Sequence, residues 1–110
     1  MMNRRQMAKG NPLRLAAISR RDNALKRAKK RGYVALNATV DEIQEALKTD
    51  RCECCGKELE ELKDRFVDHC HISGDLRGVL CQACNLIEGL AVDAAHLLKV
   101  TEYMNKVRKP

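Results

Sequence analysis

The chain has 110 residues, six cysteines, three aromatic residues and a formal charge of +6, enough for one small domain with an aliphatic core. No stretch approaches the roughly 18 consecutive apolar residues of a membrane span, and the basic N-terminus has no apolar segment followed by small residues, so a cytoplasmic protein with reduced thiols is expected. Residues 1–32 carry 11 Lys or Arg against Asp22 alone, leaving 10 of the 21 bases and 14 of the 15 acids to the rest; this basic arm on a faintly acidic body suits a polyanion such as nucleic acid, the alternative being a solvated, partly disordered terminus.

In chain order, a basic helix is expected up to about Arg31, with a frayed start. Leu15, Ile18, Leu25 and Ala28 form its narrow apolar stripe, and Gly32 ends it. Thr39-Val40-Asp41-Glu42 has capping-box spacing. A short helix follows from it to Thr49 or Asp50, turning Val40, Ile43, Ala46 and Leu47 inward. These elements make residues 1–50 a basic helical N-terminal segment. The texture changes at Arg51, where residues 51–110 form a second unit. Cys52-Glu53-Cys54-Cys55-Gly56 reads as a tight knuckle. Arg65 to His69 reads as a strand, Ser73-Gly74-Asp75 as a turn, and Arg77 to Leu80 as a return strand. A helix opening at Cys81 has Leu86, Ile87 and Leu90 for packing. The last helix, Asp93 to about Val107, has Leu97, Val100, Tyr103 and Met104 as its apolar face.

Two Cys-x-x-Cys pairs, Cys52/Cys55 and Cys81/Cys84, are separated by 25 residues. Two intervening residues let both thiolates of a pair turn onto one ion, and four such ligands suit tetrahedral Zn²⁺. A β-hairpin between the pairs accounts for the long spacing, and structural zinc replaces part of a large core. Cys54 reads as a spare thiol beside the knuckle, and Cys70 has no assigned role. A redox role for either pair is the competing reading.

Between the pairs lies Asp68-His69-Cys70-His71, and Asn85 follows the last cysteine. Phosphodiester hydrolysis needs a hard cation, a base for water and stabilisation of the leaving oxygen. Asp68 and Asn85 offer oxygen ligands for Mg²⁺ or Mn²⁺, and His69 titrates in the range of a general base. On a regular strand Asp68 and Cys70 face one way and His69 and His71 the other, unless the strand ends or twists. The bland alternative is that the histidines complete a second zinc site or satisfy local hydrogen bonds.

The run Asp68-His69-Cys70-His71, with Gly74, Arg77-Gly78-Val79-Leu80-Cys81, Cys84-Asn85 and Glu88-Gly89, resembles the phage recombination endonuclease VII family of the His-Asn-His, or ββα-metal, nucleases. The similarity covers about residues 52–104. It implies Zn²⁺ on Cys52, Cys55, Cys81 and Cys84, a catalytic Mg²⁺ on Asp68 and Asn85, and His69 as general base. It also implies that His71 and Glu88 lie near the active centre, and that cleavage leaves the 3′ oxygen. The family's archetype dimerises through a long helical region after the nuclease unit, whereas only 20 residues follow Leu90 here.

The expectation is therefore an α+β protein: N-terminal helices, a zinc-stapled ββα-metal core and a C-terminal helix. Its function is metal-dependent DNA cleavage, by nicking or at branches, in a phage-infected or prophage-bearing host. Arg77, Arg20, Arg21, Lys29, Lys30 and Arg31 are candidate phosphate contacts, which position DNA without reading its sequence. A monomer is favoured over a homodimer. The rival is a non-catalytic zinc module that binds DNA or protein.

Overall fold

A computed structural model describes residues 10–91 and 93–106. Helix α1 spans Pro12–Arg31. The Asn11 side chain accepts the Arg14 backbone N–H, and Pro12 at the first helical position sacrifices no hydrogen bond. Gly32 ends it with φ +78°, its N–H donating to the Ala28 carbonyl. The expected stripe is half right. Ile18 and Ala28 are buried, but Ala17 and Ala24 join them while Leu15 and Leu25 are half-buried, because small residues let α1 approach the helix it packs on. Residues 1–9, the expected frayed start of the arm, lie outside the described residues.

That neighbour is α2, Val40–Ala46. Its capping box is complete: Glu42 N–H donates to Thr39 Oγ1 at 3.2 Å and Thr39 N–H donates to Glu42 Oε1 at 3.0 Å. The helix stops earlier than expected, with Leu47 as C-cap, and Ile43 and Leu47 are fully buried. A 3₁₀ turn, Leu62–Asp64, leads into strand β1, Phe66–His69, which pairs antiparallel with β2, Leu76–Leu80. Helix α3, Gln82–Leu90, folds back onto both strands.

One core unites the two halves of the chain. Ala17, Ala24, Leu36, Ala38, Ile43 and Leu47 pack with Cys52, Leu59, Val79, Leu80 and Cys81. Arginines fasten its edges: Arg65 donates to the carbonyls of Leu47, Leu59 and Glu60, and Arg20 to those of Leu62 and Arg65. The result is an α+β fold built around a two-stranded sheet.

Helix α4, Ala94–Met104, is capped by Asp93, which accepts the His96 N–H; Val107, expected at its end, lies outside the described residues. Among the described residues, the packing expected of α3 and α4 is mostly not found. Leu86, Ile87 and Leu90 on α3 and Val100, Tyr103 and Met104 on α4 are exposed, Leu90 to 79%, and of the expected α4 face only Leu97 is half-buried. On α3 the reason is geometric: its half-buried positions are Cys84, Asn85 and Glu88, so the apolar side chains point away. No helix among the described residues is long and apolar enough to cross a membrane.

Candidate active site and metal centre

The thiol cluster begins with local turns. Cys52 N–H donates to the Lys57 carbonyl and Gly56 N–H to the Cys52 carbonyl, closing a knuckle around Gly56 at φ +79°. The Cys55 N–H points at Cys52 Sγ and the Cys84 N–H at Cys81 Sγ, each at 3.4 Å. Cys81 is also the N-cap of α3, so the second pair sits where β2 becomes a helix.

Sulfurs of Cys52, Cys55, Cys81 and Cys84 all lie within 4.8 Å of one another, with Cys55 and Cys81 Sγ atoms 3.8 Å apart. A tetrahedron with metal–sulfur bonds of about 2.3 Å has edges of about 3.8 Å, so the spacing fits such an ion. Burial pushes the Cys52 thiol up, but backbone N–H groups of Cys55, Cys81 and Cys54 outweigh it and hold the pKa at about 6. Cys84 is pushed well above its ordinary value, first by the neighbouring Cys81 and then by burial. Crowded thiolates repel, and a dication shared among them removes that conflict. Cys54 is exposed and stands outside the cluster, as expected of a spare thiol.

The second constellation lies in a cleft of about 290 Å³ lined by Asp68, His69, His71, Asn85 and Glu88, together with Arg20, Arg27, Arg31 and Tyr33. Strand alternation alone would not bring Asp68 and His69 to one cleft. The register explains it: Asp68 pairs with Gly78 but His69 with Leu76, leaving Arg77 without a partner on β1. This bulge bends the ladder and re-aims side chains, so Asp68 and His69 are both buried, at 8% and 5% exposure. Helix α3 then supplies Asn85 and Glu88, three residues apart and on one face.

His69 Nε2 lies 3.3 Å from the Val34 carbonyl oxygen. A carbonyl can only accept, so Nε2 carries the proton and Nδ1 keeps its lone pair. Burial, then the nearby His71, holds the His69 pKa below its ordinary value, which favours the neutral ring. His71 stacks face to face on Tyr33, with centroids 3.9 Å apart and planes 3° from parallel. The segment carrying Tyr33 and Val34 is fastened to the hairpin turn. Val34 N–H donates to the His71 carbonyl, Asn37 N–H to the Gly74 carbonyl, and Asn37 Nδ2 to Asp75 Oδ1.

Tyr33, Val34 and Arg27 are contributors that the motif reading missed. Val34 acts through its backbone, which no residue type announces. Tyr33 had a faint signal, being one of only three aromatic residues in the chain.

The basic candidates divide. Lys29, Lys30 and Arg31 are exposed at the end of α1, and Arg31 reaches the cleft. Arg20 is held by the Leu62 and Arg65 carbonyls, where burial lowers its pKa, and Arg21 donates to the Ala38 carbonyl. Arg77 is ion-paired to both Asp68 and Glu88.

A family model described as recombination endonuclease VII matches residues 26–106, which takes in α2, the knuckle, the hairpin, α3, α4 and the last turns of α1. No curated protein and no solved structure matches the chain.

Proposed function

Because the chain belongs to the recombination endonuclease VII family, we propose that it is a metal-dependent DNA endonuclease of the His-Asn-His type that hydrolyses phosphodiester bonds at branches or nicks duplex DNA. The observation that carries this reading is the convergence of Asp68, His69 and Asn85 on one cleft walled by arginines. A carboxylate and an amide oxygen are hard donors, suited to Mg²⁺ or Mn²⁺ rather than to the softer ion that four thiolates select. In this reading Zn²⁺ on Cys52, Cys55, Cys81 and Cys84 is structural.

His69 is the general base. With Nε2–H fixed on the Val34 carbonyl, Nδ1 takes the proton of the attacking water as its oxygen bonds to phosphorus. The bond from phosphorus to the 3′ oxygen breaks, and that oxygen takes a proton from solvent water, giving a 3′ hydroxyl and a 5′ phosphate. Asp68 and Asn85 would hold a Mg²⁺ or Mn²⁺ ion, which would supply Lewis-acid stabilisation of the charge developing on that oxygen. His71 and Glu88 flank the reacting groups, and Arg31, Lys29 and Lys30 lead the phosphate backbone in from α1.

The test is zinc-loaded protein incubated with supercoiled plasmid, a four-way junction, a flap and plain duplex. Cleavage in Mg²⁺ or Mn²⁺ that stops in EDTA is expected. Binding without cleavage of any substrate in either metal would overturn the enzyme and leave a zinc module that holds DNA.

A further inference from the structure

Arg77 is the residue the bulge leaves unpaired, and its side chain lies across the carboxylates of the cleft. Its Nε is 2.9 Å from Asp68 Oδ2, and its Nη2 is 3.3 Å from Asp68 Oδ1 and 3.3 Å from the His69 carbonyl. The same Nη2 pairs with Glu88 Oε1. Both oxygens of Asp68 are therefore taken by one guanidinium. A buried carboxylate needs such a partner, because an unpaired buried charge is costly. The partner itself is 46% exposed, so it can leave without dismantling the core.

We propose that Arg77 is a placeholder for the divalent cation: it holds Asp68 and Glu88 in place while the site is metal-free, yields Asp68 when the cation enters, and turns to a DNA phosphate. The inference rests on the proposed nuclease reading. Its physical basis is competition, since the guanidinium and the cation need the same oxygens, and a phosphate is the other anion a planar fork binds well. Binding is then reciprocal. DNA that captures Arg77 strengthens cation binding, and the cation strengthens the hold on DNA by the same factor.

The experiment measures Mn²⁺ binding to zinc-loaded protein by electron paramagnetic resonance, with and without a short duplex in EDTA-free buffer. Without DNA, Arg77→Gln should bind Mn²⁺ about tenfold more tightly than the wild type, as expected for removing one charge-assisted competitor. The duplex should tighten Mn²⁺ binding in the wild type and much less in the variant. Should R77Q lose its zinc, Arg77→Lys serves instead: it keeps the charge, loses the fork, and should still bind Mn²⁺ more tightly than the wild type. Equal or weaker Mn²⁺ binding by the variant, or the same enhancement by duplex in both proteins, would overturn the placeholder and leave Arg77 as a brace for Asp68. Asp68→Ala separates the two levels of the argument. If it binds Mn²⁺ as well as the wild type, the Asp68 metal site fails; if only R77Q behaves unexpectedly, the placeholder alone fails.

Discussion

At the scale of single residues, the cleft depends on groups that orient one another. The Val34 carbonyl fixes the His69 tautomer, and the Tyr33 ring fixes the plane of His71, whose own ring centroid is 4.9 Å from that of His69. Stacked ring pairs contribute about 0.5–1.5 kcal/mol beyond their burial. Tyr33→Leu is therefore expected to lower the cleavage rate by roughly two- to tenfold, with zinc content and duplex affinity unchanged, while Tyr33→Phe stays near wild type. A Tyr33→Leu enzyme of full activity would show that the stack does not position His71. Glu53 shows a second form of mutual support. Its carboxylate accepts the Val79 N–H, and a Cβ on Gly78 would lie 1.9 Å from that carboxylate, so glycine leaves room for the brace.

At the scale of elements, the hairpin turn and the crossing segment hold each other. Gly74 has φ +83°, a Cβ there would lie 2.4 Å from the Ala35 carbonyl oxygen, and its own carbonyl accepts the Asn37 N–H. Gly74→Ala combines left-handed strain with a backbone clash. It should cost about 1–3 kcal/mol, visible as a fall in Tm of at least about 4 °C in calorimetry. An unchanged Tm would mean that the crossing segment is not fastened at this turn. These elements differ in how far they could be read from residues alone. The Gly32 stop, the Thr39–Glu42 box, the hairpin and both Cys-x-x-Cys pairs were legible because each is a local rule with its own side chains. The bulge at Arg77 was not, because it is a matter of strand register that no side chain announces, and the course of residues 33–38 was not, because it depends on backbone partners more than 30 residues away in sequence. The apolar positions of α3 were recognised, but periodicity says which side of a helix is apolar and not whether anything covers it.

At the scale of the whole molecule, α1 is both core and cleft wall. Ala17, Ile18, Ala24 and Ala28 are buried while Arg27 and Arg31 line the site, so deleting the basic segment would unfold the protein rather than test its charge. Substituting Lys29 and Lys30 by Gln is the cleaner probe, since both are exposed. Each phosphate contact contributes about 0.9 to the slope of log affinity against log salt. The double variant should flatten that slope by up to about 2; an unchanged slope would take this end of α1 off the DNA. The expectation of a monomer rested on the narrow stripe of α1, which the chain itself largely covers. Most of the exposed large apolar side chains among the described residues lie instead on α3 and α4, so light scattering on the purified protein, and not the stripe of α1, decides between monomer and dimer.

In the proposed reaction His69, beside Asp68 and Asn85 in the cleft, is the base for the attacking water, while the four thiols hold the fold. This assignment is tested most directly by single-turnover cleavage of plasmid by His69→Ala, with zinc content and thermal unfolding measured on the same preparation. Full zinc, a cooperative transition near that of the wild type, and a rate lower by at least about 10²-fold are expected. Cleavage at close to the wild-type rate would contradict the assignment and transfer the role of base to His71.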